Sequence, residues 1–352
     1  MATLEQIPDD ILFSEWKHPG TLMCRICPRA CILNEGEIGY CGIRINSGST
    51  IISKTYGKTT GVSVDPIEKK PLYHFQPGTD TLSIGGIGCN LSCQFCQNFS
   101  TSQDRGKLSA NFLENNSPQE LVNLALKKHL PSISVTYNEP TINYEYVVDI
   151  AKAAHDAGLK VVAVTNGFLQ AKAADYLSHY LDAANIDFKG PKDFYRNVCD
   201  ARQAPVKKTI ETWFDAGVHI EITTLVIPSH NDSNNFIKEE SLWILNRLRN
   251  DVPLHFSRFY PMYLLNDVPP TPLNTLLRCK KIATEIGLKH IYIGNVGSEV
   301  DDNTYCSSCH EILIERSTNS FFRRRGYETV IKNYDSFENK CLSCGSPAPF
   351  TN

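Results

Sequence analysis

At 352 residues, 41% hydrophobic and 21% charged, the chain can bury a large core and reads as one large globular domain with additions, or as two. A formal net charge of −3 gives no overall footprint for DNA, RNA or an anionic membrane; nucleic acid is not expected as a partner, and the local run Arg323-Arg324-Arg325 reads as a solvated face. The start, Met1-Ala2-Thr3-Leu4, has no signal-peptide pattern, no apolar run approaches a membrane span, and thirteen cysteines argue for metal ligation in a reducing compartment, so no membrane partner and a cytoplasmic location are expected.

Residues 1–80 read as a Cys-rich N-terminal extension. Cys24, Cys27, Cys31 and Cys41 fall beside Pro28, Gly39 and Gly42, a pattern that folds around an ion. Zinc takes four thiolates, an auxiliary iron–sulfur cluster uses the same atoms, and free or partly used thiols are the third possibility. Short strands are expected over Ile51–Gly57 and Val62–Asp65, after which Pro66–Phe75 leads into a barrel.

The glycine-rich stretch Leu82–Gly88 runs into Cys89-Asn90-Leu91-Ser92-Cys93-Gln94-Phe95-Cys96. Three thiols at C-x3-C-x2-C spacing suit an iron–sulfur cube, and a cube held by protein alone needs four. One iron is left for an external ligand. The other reading of the same thiols is a structural zinc loop that borrows a ligand from elsewhere.

Residues 81–300 alternate strand-like and helical runs, the mark of an α/β fold with a parallel sheet. Strands are expected over Thr81–Gly85, Ser132–Thr136, Lys160–Thr165, Ala184–Phe188, His219–Ile227, Leu254–Phe259 and His290–Ile293. Ser117-Pro118-Gln119-Glu120 is a capping box, and Tyr144–Ala157, Val206–Ala216 and Pro272–Ile286 each stop at a glycine, with Thr271 as the N-cap of the last. Six or seven βα repeats fall short of a closed eight-fold barrel, so a partial (β/α)6 TIM-like barrel is expected, although a doubly wound sheet reads the same way. Polar clusters fall where strands end: Tyr137–Thr141, Thr165–Gly167, Asp187–Gly190, Pro228–Asp232, Arg258–Pro261 and Gly294–Gly297. All share an edge with the cysteine loop, which favours an enzyme over a binding module. Cys199 and Cys279 stand alone and read as small buried hydrophobes.

Residues 301–352 form a zinc-ribbon-like C-terminal segment. Cys306-x2-Cys309 and Cys341-x2-Cys344 are paired knuckles that suit a closed four-thiolate zinc site. Rubredoxin-like iron uses the same ligands, and a terminal knuckle shared with part of the N-terminal quartet remains open.

Residues from about 20 to 345 resemble the radical S-adenosylmethionine (SAM) enzyme of the AmmeMemoRadiSam system, itself similar to pyruvate formate-lyase activating enzymes. The resemblance rests on Leu22–Arg29, Gly39–Gly42, Asp65–His74, the loop Cys89–Asn98, Tyr137–Thr141, Thr165–Gly167, Gly294–Val296 and the terminal knuckles. It implies that Cys89, Cys93 and Cys96 bind a [4Fe–4S] cluster whose open iron takes SAM. One electron from the cluster would then release a 5′-deoxyadenosyl radical that abstracts hydrogen from a substrate. It also implies that Glu139, with Asn138, meets the methionine ammonium of SAM, although the two glycines usual before that Glu are missing here. Thr165 and Asn166 would face the ribose, Asp187 and Lys189 its hydroxyls and the SAM carboxylate, and His230, Arg258 and Tyr260 the substrate. The implied partners are a small-molecule or protein substrate and an electron donor such as reduced flavodoxin or ferredoxin. A glycyl-radical activase and a non-catalytic zinc adaptor are the competing functions.

Overall fold

Seven runs rich in Val, Ile, Ala and Thr become parallel strands, and a preceding hairpin arm joins them. In chain order these are β1 (Gly61–Pro66), β2 (Asp80–Gly85), β3 (Ser132–Thr136), β4 (Lys160–Thr165), β5 (Ala183–Asp187), β6 (His219–Val226), β7 (Leu254–Arg258) and β8 (Ile291–Gly294). The structure, a computed structural model, describes residues 13–103, 113–317 and 328–351. The N-terminal start and Arg323–Arg325 therefore lie outside the described residues. The sheet runs β8-β7-β6-β5-β4-β3-β2-β1, antiparallel only between β1 and β2. Ser132 stands opposite both Thr81 and Lys160, and Glu221 opposite Asn185. Among the described residues no pairing joins β8 to β1, so the barrel is open, as the repeat number implies. β1 lies before residue 80 and yet belongs to the sheet, because the segment from Ile67 to Thr79 folds back into a hairpin.

Helices cross between the parallel strands: α1 (Pro118–Lys127), α2 (Tyr144–Asp156), α3 (Ala171–Ser178), α4 (Lys192–Val198), α5 (Gln203–Asp215), α6 (Asn234–Arg247) and α7 (Leu273–Ile286). Ser117 and Glu120 complete the expected capping box on α1. α7 ends at Gly287, whose φ of 113° is open to glycine and strained for other residues. α5 begins at Gln203, ahead of the expected Val206, because Pro205 sits within the first turn, where its missing N–H costs nothing. Thr271 is not the N-cap of α7; Pro272 holds that position in an extended conformation. The buried Thr271 hydroxyl instead donates to Val226 O and accepts from Phe259 N, tying the ends of β6 and β7 together. α3, α4 and α6 are helices that the sequence reading did not identify. The strand expected over Ile51–Gly57 is only Ile51–Ser53, since the chain turns at Thr55.

Outward-facing Val161, Ala163, Ile220, Ile222, Leu254, Phe256, Ile291 and Ile293 pack against the helices. The inward side is polar at the N-terminal ends of the strands. Glu221, 0% exposed, is hydrogen-bonded to His255 Nε2 at 2.6 Å, His219 Nε2 at 3.1 Å and His74 N at 2.7 Å. Burial opposes its charge, but the two imidazoles hold the carboxyl well below its usual range. The C-terminal segment plugs this end: Arg316 donates to Tyr73 O at 2.6 Å, and Tyr292 OH meets Thr304 Oγ1 at 2.7 Å. Phe75 bridges to Thr351. Chemistry is thus left to the opposite, C-terminal mouth.

Glu240 of α6 is buried beneath β6, with Thr224 Oγ1 donating to one carboxylate oxygen and the other unpartnered. Burial pushes its pKa up to about 8, with Thr224 and Lys207 opposing the shift. A folded value above the ordinary 4.5 means that the neutral carboxyl is favoured and that stability falls as pH rises through about 8. Glu240→Gln is expected to raise the unfolding free energy at pH 9 by on the order of 3 kcal/mol, seen as a higher thermal midpoint, and to leave both near the parent at pH 5. Thermal unfolding followed by circular dichroism at the two pH values checks this.

Candidate active site

The mouth holds a cavity of about 520 Å³. Its wall includes Cys89, Cys93 and Cys96, Asn138 after β3, Asn166 after β4, Asp187 and Lys189 at the end of β5, Thr223 and Leu225 of β6, Ser257 of β7 and Asn295 after β8. Seven of the residues assigned from sequence (the three cysteines, Asn138, Asn166, Asp187 and Lys189) therefore meet on one surface. Glu139, Thr165, His230, Arg258 and Tyr260 do not line it.

The cysteine loop is held in place from several sides. Gly88, at φ 83°, lies so close to the carbonyl of Cys41 that an added Cβ would meet that oxygen at 2.3 Å. Asn138 Nδ2 donates to Gly88 O at 2.7 Å, and its Oδ1 accepts from Gly86 N at 3.1 Å. Asn166 Nδ2 donates to Asn90 Oδ1 at 2.8 Å and reaches Cys89 Sγ at 3.7 Å, while Leu91 N donates to that sulfur at 3.4 Å. From below, Ser92 N and Gln94 N donate to Cys199 O and Val198 O, each at 3.0 Å. The Cys199 side chain contacts Cys93, a link that its position outside every motif concealed. Burial pushes the thiols of Cys89 and Cys96 up, and Cys199 together with burial raises Cys93. Metal binding here must displace protons and is favoured by alkaline pH.

Glu139 is 1% exposed, and both its oxygens are engaged. Oε1 accepts from Thr141 N at 3.0 Å, Thr141 Oγ1 at 2.6 Å and Thr165 Oγ1 at 2.7 Å, and Oε2 accepts from Asn166 N at 2.8 Å. Burial raises its pKa against these donors. In this structure Glu139 and Thr165 clamp the end of β3 to the end of β4 and so fix the backbone of Asn166. The carboxylate that the resemblance implies for a ligand ammonium is here turned to these four donors and does not line the cavity.

Two charged groupings stand on the wall, one of which joins residues that the sequence reading named only in separate segments. Tyr137 stands at φ 75°, a strained position for a non-glycine residue of the kind that clusters at functional sites. Its hydroxyl donates to Asp65 Oδ2 at 2.5 Å, and Asp65 also accepts from Lys70 Nζ at 2.8 Å and Lys69 Nζ at 2.9 Å. Burial alone would raise Asp65, but these donors hold it well below the carboxylate range. Lys69 thereby brings a cation to the wall. On the other side, Lys189 Nζ donates to Asp187 Oδ2 at 2.9 Å; burial works against its charge, but Asp187 and the nearby thiols keep its pKa well above the ordinary value.

Away from the mouth, Cys306, Cys309, Cys341 and Cys344 offer four sulfurs within 4.8 Å of one another, with Cys306–Cys344 and Cys309–Cys341 both at 3.7 Å. Four thiolates about 2.3 Å from one tetrahedral ion stand about 3.8 Å apart, so this group fits a single metal ion. The terminal knuckles pair with each other, not with the N-terminal quartet.

The radical SAM superfamily matches residues 83–238 of this chain. An uncharacterized protein of Methanocaldococcus jannaschii is 39% identical over 337 residues, covering 96% of this chain and 97% of that one. A solved domain of pyruvate-formate lyase-activating enzyme from Bacteroides vulgatus superimposes with a TM-score of 0.41 at 18% identity, over 46% of this chain and 98% of that domain. SuiB from Streptococcus suis gives a TM-score of 0.47 at 14% identity, over 60% of this chain and 48% of its own. No helix among the described residues is long and apolar enough to cross a membrane.

Proposed function

The chain belongs to the radical SAM superfamily, and on that premise we propose that it is an enzyme of the AmmeMemoRadiSam type that generates a 5′-deoxyadenosyl radical and uses it to take hydrogen from an organic substrate. One observation carries this reading: three thiols of a single loop open on one cavity that also holds Asn138, Asn166, Asp187 and Lys189, and among the described residues no other cysteine lines it. Cys89, Cys93 and Cys96 would hold a [4Fe–4S] cluster, with donors from Asn166 and Leu91 already directed at the Cys89 sulfur. When bound, the cluster supplies the electron that splits the sulfonium of SAM.

The protein's own part is to bind and orient. Asn138, Asn166, Asp187 and Lys189 are the groups on the wall that can meet the polar atoms of SAM, and Lys189 offers a charge-assisted bond to its carboxylate. Glu139 and Thr165 are positioning residues that act through Asn166. The ribbon quartet would hold zinc as a structural ion. Location in the cytoplasm and a reduced flavodoxin or ferredoxin as electron donor complete the proposal.

Anaerobic reconstitution with iron and sulfide, followed by dithionite and SAM, tests it: 5′-deoxyadenosine and methionine are expected as products. A colourless chain that holds zinc alone would make it a non-catalytic adaptor. Product that appears only with an added glycyl-radical enzyme would make it an activase of the pyruvate formate-lyase kind. Asn166→Ala, which removes donors to Asn90 and Cys89, is expected to lower iron retention against a chelator roughly tenfold, as loss of a group that orients a metal ligand does.

A further inference from the structure

The proposed reaction uses nothing of Cys24, Cys27, Cys31 and Cys41, yet these four thiols line one small void together with Arg29 and Arg44. Each sulfur accepts a backbone N–H: Ile26 to Cys24, Arg29 to Cys27 and Ile43 to Cys41 within their own turns, and Tyr40, from the turn of Cys41, to Cys31 at 3.4 Å. Such N–H donors oriented on sulfur are what a thiolate knuckle needs. Arg44 supplies an independent sign. It is 2% exposed; Nη1 donates to Glu145 and Nη2 to Ile51 O, and Nε has no partner. A buried guanidinium N–H left open beside four sulfurs calls for an anion there, because an unmade bond of this kind costs more than a made one returns. A metal–thiolate centre carries that negative charge.

Spacing decides which centre. The ribbon thiols are the internal reference for one ion, all within 4.8 Å of one another. Among the described residues no three thiols of the N-terminal quartet come that close, and neither do Cys89, Cys93 and Cys96. A cube binds each thiolate at a different iron and so spreads its sulfurs more widely than a single tetrahedral ion does. Like the cluster loop, the N-terminal quartet thus lacks the close single-ion spacing of the ribbon, as a cube requires.

We propose that Cys24, Cys27, Cys31 and Cys41 hold a second [4Fe–4S] cluster, ligated at all four irons by protein. It would stand directly behind the cluster loop, where the Cys41 carbonyl packs on Gly88 and Arg29 Nε donates to Asn90 O at 2.9 Å.

The test removes the loop cysteines. After anaerobic reconstitution, C89A/C93A/C96A is expected to retain about four irons and four sulfides per chain, half of the parent's content of about eight. Its dithionite-reduced form is expected to give the paramagnetic resonance signal of one cluster, with zinc unchanged from the parent. Loss of all iron from this variant, or a gain of one zinc per chain, would overturn the second cluster. Either result would leave the loop cluster standing, since the parent would still hold about four irons and cleave SAM. The converse variant C24A/C27A/C31A/C41A is expected to lose the other half of the iron. Should it fail to fold, the first variant decides alone.

Discussion

Cys93→Ala is expected to reduce 5′-deoxyadenosine formation to background, a loss of about a thousandfold or more, while the far-ultraviolet circular dichroism and the thermal midpoint stay close to the parent. The size of the effect follows from the donor set. A loop that supplies three thiolates has none to spare, and residues that act as one unit fail together when one is removed. The fold survives because the loop is held by backbone and amide contacts, from Asn138, Asn166 and the end of α4, and not by Cys93 itself. Cys199 is the necessary control, since its side chain contacts Cys93. Cys199→Ala is expected to keep its iron and its turnover. Turnover retained in C93A and lost in C93A/C199A would make Cys199 a stand-in ligand. Turnover retained in both variants would remove Cys93 from the site.

The second large effect concerns stability. Cys341→Ala is expected to release the ribbon metal, measured as one zinc per chain fewer, and to lower the thermal midpoint by roughly 10 °C, with the iron content unchanged. Cys341 is fully buried and faces Cys309 at 3.7 Å, so the site cannot keep its fourth ligand by rearrangement. The damage reaches beyond the ribbon because this segment closes the floor of the barrel. Arg316 reaches Tyr73, Thr304 meets Tyr292, and His74 contacts Pro349. Loosening it exposes Glu221 and its histidines to water. A C341A chain that keeps its zinc and its midpoint would contradict a structural metal at this site.

Much of the architecture was legible in the sequence because parallel strands are buried on both faces and read as apolar runs. Ser132–Thr136 and Lys160–Thr165 are found with the expected bounds. The polar residues that follow those runs were legible as a mouth, since side chains at the C-terminal ends of parallel strands share one edge. α6 was hidden because its apolar residues, from Phe236 to Leu245, follow helical spacing weakly, and α4 because seven residues are too few to show a period. The direction of Glu139 was not legible either. It is set by donors from two strand ends, Thr141 after β3 and Thr165 and Asn166 at the end of β4, which meet only once the sheet has formed. Asp65 was read as the end of a short strand and Lys69 as part of the lead into the barrel, both within a segment that carries the resemblance, and neither was given a role. Their meeting with Tyr137 requires the antiparallel pairing of β1 with β2, a long-range contact that no local pattern encodes. The same pairing buries Lys70, 2% exposed, against Asp65, a burial that the run Glu68-Lys69-Lys70 gives no sign of.

The measurement that bears most directly on the vacant iron is electron paramagnetic resonance of the reduced C24A/C27A/C31A/C41A chain, in which only the loop cluster remains, with SAM carrying a 17O-labelled carboxylate. Hyperfine broadening or 17O coupling on the cluster signal is the expected result. A spectrum identical with labelled SAM, unlabelled SAM and no SAM would mean that a protein atom fills that position.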